Sequence, residues 1–222
     1  MFDLFNTAVT GDQFLLAMHD TLVMISVSLA FGSLLGIPLG ILLVVCRAGG
    51  IMPNRFVYRV LNPVINIIRS LPFIILLITI LPLTRLIVNT TIGTPGAIVP
   101  LILFIAPYIS RLVENSLLDV DAGILEAANA MGATTLQTIW HFMLPEAASS
   151  LVLALTTATI GLLGATAMAG TVGGGGIGDL AITYGYQRFD AFATFSTALV
   201  LIVIVQLLQT VGGWLARRIR RE

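Results

Sequence analysis

Long stretches without a charged residue constrain this chain more than any other feature. A helix needs about 20 mostly apolar residues to cross the hydrocarbon core of a bilayer. Four stretches of the 222-residue chain exceed that length without a charge: 21–46, 86–110, 147–178 and 191–216. Because lipid offers the backbone no hydrogen-bond partner, and the alternating pattern of a barrel is absent, these stretches predict membrane-spanning helices.

A fifth apolar stretch contains arginine. Residues 56–84 are apolar enough to span but include Arg59 and Arg69. We predict a span here with a kink at Pro72, because proline removes a helical hydrogen bond. The sequence therefore predicts an all-α membrane protein with a single domain, 1–222. Its five predicted transmembrane helices cover 21–46, 57–83, 90–112, 148–171 and 191–214.

The arginines favour one orientation of these spans. Short loops that are rich in arginine stay in the cytoplasm. If the N-terminus lies outside, only Arg85 and Arg188 are on the outer side, with Asp3, Asp12 and Asp20. The cytoplasmic set is then Arg47, Arg55, Arg59, Arg111, Arg217, Arg218, Arg220 and Arg221. We therefore predict a multi-pass protein with an outer N-terminus and a cytoplasmic C-terminus.

The composition disfavours several classes of protein. All 11 basic residues are arginines and are balanced by 11 acidic residues, so a general attraction to nucleic acid is not expected. Without lysine there is no phosphate-loop lysine and no Schiff-base chemistry. One cysteine, Cys46, and two histidines are too few for a disulfide or for most zinc sites. We expect no metal site and no redox enzyme.

One loop, 113–147, is too long and too ordered in pattern for a simple connection. A helical cluster of apolar residues ends at Gly132, and Thr134 or Thr135 is placed to cap a second helix. Its apolar stripe contains Leu136, Ile139, Trp140 and Met143. We expect Pro145 to end this helix. Two short helices at an angle either dock on a partner protein or pack against the chain's own membrane helices.

The loop also carries a motif. Glu126, Ala127, Ala128 and Gly132, followed by Leu144 and Pro145, resemble the cytoplasmic loop of binding-protein-dependent ABC importer permeases; Phe142 stands where isoleucine is usual. The resemblance implies the type I ABC importer permease fold, with two short coupling helices between spans three and four that enter a cleft on a separate ATPase subunit. ATP and Mg then belong to that partner, and this chain needs no cofactor and is not an enzyme. The implied ATPase-coupling residues are Glu126, Ala127, Ala128, Met131, Gly132, Leu144 and Pro145.

Further segments narrow the resemblance to permeases of methionine ABC importers. These are RSLPFIILL from Arg69, TRLIVNTTIG from Thr84, SRLVENSLL from Ser110, AMAGTVGGGGIGDLA from Ala167 and YGYQRF from Tyr184. The resemblance implies a homodimer in the bacterial inner membrane that works with an ATPase dimer and an extracytoplasmic methionine-binding protein. Its expected substrate is L-methionine, and D-methionine is a second candidate. Another amino acid or a short peptide stays open as the solute.

Three residues are candidates for the translocation pathway: Arg69, Pro72 and Met168. An arginine at a helix centre costs about 2.5–3.5 kcal/mol on insertion scales. Arg69 therefore either reaches the cytoplasmic headgroups, lines the dimer-interface pathway, or pairs with Glu114. Met168 either faces the pore, as the resemblance implies, or fills a gap in the core.

The glycine run from Gly173 matches a dinucleotide-binding pattern but follows an apolar span rather than a strand. We predict instead a tight turn at the outer end of span four, which shapes the outer mouth or contacts a binding protein.

Two other classes compete with the importer. A stand-alone secondary transporter needs acidic groups within its spans, whereas Glu114, Asp119 and Glu146 fall at predicted cytoplasmic ends. An intramembrane enzyme needs a serine and a histidine that share both a face and a depth, and His19 forms no such pair with Ser26, Ser28 or Ser33. Both classes therefore rank below the importer.

Overall fold

The computed structural model describes residues 7–220, and every regular element in that range is a helix. Asp3 and Arg221, which are predicted to lie on opposite sides of the membrane, are outside the described residues. The α-helices are α1 Gly11–Cys46, α2 Arg55–Ser70, α3 Phe73–Thr79, α4 Leu81–Val88, α5 Gly93–Leu118, α6 Ala122–Ala130, α7 Thr135–Gln137, α8 Leu144–Gly170, α9 Gly176–Leu180 and α10 Ala191–Ile219. Two π-helices, Thr138–Met143 and Ala181–Tyr186, follow α7 and α9 directly.

Local chemistry explains where several helices begin. Thr10 and Gln13 form a reciprocal pair at the start of α1: the Thr10 amide donates to the Gln13 side chain (3.1 Å) and the Gln13 amide donates to the Thr10 hydroxyl (3.3 Å). At the start of α2, Asn54 Oδ1 accepts the amides of Phe56 and Val57. Each cap satisfies backbone donors that have no partner within the helix.

Four helical segments are long and apolar enough to cross a membrane: Gly11–Cys46, Gly93–Leu118, Thr135–Gly170 and Ala191–Ile219. The kink predicted at Pro72 within 57–83 is confirmed, and it is a full break between two helices. The helices α2 and α3 meet at 105°, and Pro72, with φ −55° and ψ 139°, stands at the break. Proline cannot donate the amide that would continue α2. A total of five spans holds only if this bent pair counts as one broken span, so the count of five stays a prediction.

The chain divides into two compact units. One contains the residues up to Gly32, Leu71–Ile105 and Thr159–Leu208, and the other contains Ser33–Ser70, Ala106–Ala158 and the residues from Gln209 onwards. The helices α1, α5, α8 and α10 contribute residues to both. The prediction of one domain over 1–222 stays a prediction.

In the unit that contains Ser33–Ser70, small residues let helices approach closely. A Cβ atom at Gly36 would lie 2.6 Å from the carbonyl oxygen of Ala106, and one at Gly40 would lie 2.6 Å from that of Ser110. These glycines therefore press α1 directly onto the backbone of α5, as is common in membrane helix pairs.

In the other unit, the chain turns sharply after α8 and folds back. A Cβ atom at Gly178 would lie 2.5 Å from the Cα of Ala167, so α9 packs backbone to backbone against the end of α8. Gly173, Gly175 and Gly176 all have positive φ. The Ile177 amide donates to the Thr21 hydroxyl at 2.9 Å, which ties the turn to α1. The predicted tight turn is confirmed, and the helix that precedes it excludes a dinucleotide-binding βαβ unit.

Candidate functional site

The loop motif begins on α6. Asp121 caps this helix, because its Oδ1 accepts the Gly123 amide at 2.7 Å. Glu126 and Ala127 are exposed, whereas Ala128 is fully buried. One side of α6 therefore packs inward on a small residue while the acidic side chain faces outward.

Gly132 forms the corner after α6. Its φ is +72°, and the amide of Ala133 donates to the carbonyl of Ala128 at 3.0 Å, which closes the end of the helix. A Cβ atom at Gly132 would have no heavy atom within 4 Å. Glycine is required here for its left-handed backbone and not for room. The predicted stop at Gly132 is confirmed.

Thr134 starts the next helix through a capping box. The Thr134 amide donates to Gln137 Oε1 at 2.8 Å and the Gln137 amide donates to Thr134 Oγ1 at 3.4 Å. Of the two predicted caps, Thr134 is the one used.

The prediction that Pro145 ends this helix is wrong. The helical run continues from α7 through the π-helix Thr138–Met143 into α8, and Pro145 lies at its second residue. The Leu144 amide donates to the carbonyl of Ile139, five residues back. The wider π turn leaves room for the proline ring, and proline needs no acceptor because it has no amide hydrogen. The second loop helix is therefore the beginning of the fourth predicted span.

The same π turn divides the predicted apolar stripe. Met143 is buried at 2%, whereas Leu136 is 67% exposed and Trp140 is 63% exposed. Met131 beside the glycine corner is 66% exposed. The helix α6 packs against the π-helix, so Ala128 and Met143 serve internal packing. Met131, Leu136 and Trp140, which we call the loop apolar group, face outward. Of the remaining motif residues, Leu144 is half-buried and Pro145 is exposed.

A buried polar cluster supports the end of α5, from which the loop departs. Arg111 Nη1 donates to Glu114 Oε2, and Arg111 Nη2 donates to the side-chain oxygens of Asn62 and Asn66 on α2. The side chains of Arg111 and Glu114 are only 15% and 7% exposed. This cluster compensates a buried acid and joins α2 to α5.

Sequence reasoning missed the Arg111 cluster. Of the three alternatives for Arg69, the pairing with Glu114 is wrong, because Arg111, on the same helix as Glu114, binds that carboxylate. Arg69 is exposed at the end of α2, and its guanidinium lies 6.0 Å from the ring centroid of Tyr108. The i, i+3 spacing of Arg111 and Glu114 and the i, i+4 spacing of the two asparagines were the available signals.

The pathway candidates fall into different parts of the fold. Arg69 lies in the last turn of α2 in one unit, whereas Pro72 and Met168 belong to the other. Met168 is 45% exposed near the end of α8, so it does not fill the core as a buried methionine would. Within residues 7–220, no group of three or more His, Cys, Asp or Glu side chains is arranged to hold a metal ion.

Comparison with known proteins gives a consistent set of similarities. Residues 36–221 match the family described as binding-protein-dependent transport system inner membrane component. The probable D-methionine transport system permease protein MetI of Vibrio cholerae is 45% identical over 212 residues, which cover 96% of this chain and 94% of that protein. The D-methionine transport system permease protein MetI of Escherichia coli is 49% identical over 151 residues, which cover 68% of this chain and 70% of that protein.

Solved structures show the same fold. A chain of the MetNI methionine ABC transporter in inward-facing conformations has a TM-score of 0.92 and 42% identity, with 95% of this chain and 99% of that chain covered. A chain of an amino acid ABC transporter solved with histidines has a TM-score of 0.77 at 18% identity, with 93% and 94% covered. The second likeness concerns the fold alone.

Proposed function

Because the chain belongs to the binding-protein-dependent transport system inner membrane component family, we propose that it is the permease subunit of an ATP-driven methionine importer. The relatives named for D-methionine transport and the methionine transporter of the same fold support this substrate. The chain forms the membrane path and leaves ATP hydrolysis to a partner, which binds ATP and Mg. The proposal covers both L- and D-methionine.

One observation carries the coupling part of the proposal. The loop apolar group presents three large apolar side chains, each about two-thirds exposed, on short helical elements. Burying one such side chain is worth about 1.5–3 kcal/mol, and tryptophan is often a dominant contact in protein interfaces. We therefore assign Met131, Leu136 and Trp140 to the contact with the ATPase, with Glu126, Ala127, Gly132, Leu144 and Pro145 shaping it. Ala128 contributes by packing α6 in place.

The proposed orientation places this loop and the C-terminus in the cytoplasm. The guanidinium of Arg218 lies 5.4 Å from the ring centroid of Trp214 near the end of α10. Tryptophan and arginine in that arrangement favour the headgroup level of a membrane, and the excess of loop arginines favours the cytoplasmic side. The protein then resides in the bacterial inner membrane with its N-terminus outside.

The proposed mechanism is alternating access in a homodimer. Two copies place the pathway on their common axis, with Arg69, Pro72 and Met168 as candidate lining residues. Closure of the ATPase dimer moves the two loops. Because the loop helix continues into α8 without a break, this motion reaches the fourth predicted span directly. An extracytoplasmic binding protein delivers the solute.

The deciding experiment measures copurification and transport together. The tagged permease is coexpressed with its ATPase, and ATP-dependent uptake of labelled L- and D-methionine is measured in proteoliposomes with the binding protein. We expect Trp140→Ala to reduce the copurified ATPase and the uptake at least tenfold. Trp214→Ala is the matched control, since Trp214 is 51% exposed but lies on α10. Equal losses in the two variants contradict the coupling assignment, and no uptake by the wild-type complex contradicts the substrate.

A further inference from the structure

A cavity of about 820 Å³ lies along α4 and the turn that follows it. Its lining residues are Leu81, Pro82, Arg85, Leu86, Asn89 and Thr91. Sites for small molecules commonly have about 300–1,000 Å³ and combine apolar walls with a few polar groups. The volume lies in that range and the lining is of that mixed kind, although the cavity is open on one side because its lining residues are exposed or half-buried. None of these residues has a role in the coupling loop.

Arg85 is the cationic group of the cavity. It is exposed, and within residues 7–220 its guanidinium has no hydrogen bond, ion pair or ring contact. No acidic side chain lines the cavity. An arginine surrounded by leucine and proline in a membrane protein is costly unless it faces water or an anionic partner. Its planar guanidinium matches a carboxylate through two parallel hydrogen bonds.

The charge pattern of the chain makes Arg85 unusual. It is one of two arginines that the proposed orientation places on the outer side. The other, Arg188, lies with its guanidinium 4.5 Å from the ring centroid of Tyr184 and so has an aromatic partner. The preference for cytoplasmic arginines explains neither position. Arg85 is therefore the outer arginine whose exposed guanidinium is available to an anionic ligand.

Asn89 supplies the complementary end of the cavity. It terminates α4 in the left-handed conformation, with φ 59° and ψ 6°, and its amide donates to the carbonyl of Arg85 at 3.0 Å. Residues other than glycine are uncommon in this conformation, although asparagine tolerates it. The C-terminal end of a helix carries partial negative charge and favours a cation. The cavity therefore combines an anion-binding side chain with a helix end that favours an ammonium group.

We infer that this cavity is a transit site for the zwitterionic backbone of an apolar α-amino acid. Arg85 binds the carboxylate, the end of α4 with Asn89 receives the ammonium group, and Leu81, Pro82 and Leu86 contact the apolar side chain. The inference rests on the proposed function, since it concerns the solute after it leaves the binding protein. It adds a site on the permease itself.

Equilibrium binding tests the site directly. The permease–ATPase complex in nanodiscs, without the binding protein, is titrated with labelled L-methionine and with methioninol, which lacks the carboxylate. We expect the wild-type complex to prefer methionine at least tenfold. Arg85→Gln should remove that preference by weakening methionine binding while leaving methioninol unchanged. Arg85→Lys should restore part of it, because lysine keeps the charge but loses the paired geometry.

Arg188→Gln is the matched control, since it removes the other outer arginine and should leave the preference intact. Intact ATPase copurification establishes that Arg85→Gln is folded. The inference is overturned if Arg85→Gln keeps the wild-type preference, or if its only defect is weaker docking of the binding protein in a surface-binding assay. Methionine uptake by the wild-type complex is measured in the same preparation. If uptake occurs, the proposed function stands even when the binding results overturn the site.

Discussion

The corner after α6 and the corner after α8 both depend on glycine, yet their surroundings differ. At Gly132 the backbone is left-handed and a Cβ atom would meet nothing within 4 Å. At Gly178, in α9 directly after the second corner, a Cβ atom would lie 2.5 Å from the Cα of Ala167. The first glycine sets a direction and leaves the surrounding surface free for a partner. The second allows two helical segments to pack without a gap.

Gly178→Ala tests the close packing at the second corner and has the largest expected effect. The added methyl group overlaps the backbone of α8, which cannot move aside as a flexible side chain can. We expect the free energy of unfolding to fall by about 3 kcal/mol, which is the upper end of the range for overpacking substitutions. Thermal unfolding of the purified complex measures it. Gly164→Ala on α8 is the control, because its Cβ would have no neighbour within 4 Å and alanine favours a helix by about 0.5–1 kcal/mol. Similar melting temperatures for the two variants would show that α9 is not tightly packed.

A second test concerns the end of α5, from which the loop departs, and asks whether the buried pair of Arg111 and Glu114 stabilises it. Glu114→Gln removes one charge of the buried Arg111 pair but keeps a hydrogen-bond acceptor. We expect destabilisation by about 2 kcal/mol, below the roughly 3–5 kcal/mol for complete loss of a buried partner. The double variant Arg111→Gln with Glu114→Gln should recover part of this loss, because no uncompensated charge remains. Additive losses in chemical denaturation would argue against a coupled pair.

Gly132→Val tests the loop corner itself. Valine at φ +72° costs about 1–2 kcal/mol, and we expect the distorted corner to reduce ATPase copurification while the membrane helices stay folded. Gly132→Asn should retain the ATPase, since asparagine tolerates the left-handed region. Gly49→Val controls for strain alone, because Gly49 also has positive φ and free space but lies outside the loop. If all three variants bind the ATPase equally, the corner does not position the contact.

The smallest expected effect concerns Asp190, which precedes α10 in the unit that contains Gly178. Its Oδ1 accepts the Ala193 amide at 2.9 Å, and its Oδ2 accepts the Thr7 hydroxyl and the Ala8 amide. The Ala193 hydrogen bond foremost lowers the pKa of this carboxyl below its ordinary 3.8, against a smaller opposing effect of burial. The stabilisation is therefore complete above about pH 4 and is lost as the pH falls through the lowered pKa.

Asp190→Ala should cost about 1 kcal/mol at neutral pH, as loss of a helix cap does. Asp190→Asn keeps a capping oxygen without a titrating group. We expect melting temperatures measured between pH 2.5 and about pH 6 to decline less steeply at the acid end in Asp190→Asn than in the wild-type protein. A parallel decline in both would assign the acid sensitivity to other carboxyl groups.

Features set by neighbouring residues were accessible from the sequence. The stop at Gly132, the cap at Thr134 and the break at Pro72 each follow from the backbone limits of one residue and the donors beside it. The resemblance to methionine importers rested on short contiguous motifs, and it agrees with the family match and with the similar relatives.

Features that depend on distant partners were not accessible. Hydropathy summed over residues 57–83 does not detect a 105° turn between two short helices. A helical wheel assumes 3.6 residues per turn, so it placed Met143 and Trp140 on one stripe where the π turn separates them. The bonds from Arg111 to Asn62 and Asn66 join residues more than 40 positions apart, and no local pattern specifies that pairing.

The hydrogen bond between Thr21 and Ile177 has a consequence for biosynthesis. Its two residues are separated by 156 positions, which the ribosome needs roughly eight to thirty seconds to translate. Gly176 packs against Thr21 and Met24 in the finished protein, so this face of the first helix is left uncovered in the membrane throughout that interval. A nascent chain halted before Gly176 therefore lacks the segment that packs on this face of the first helix.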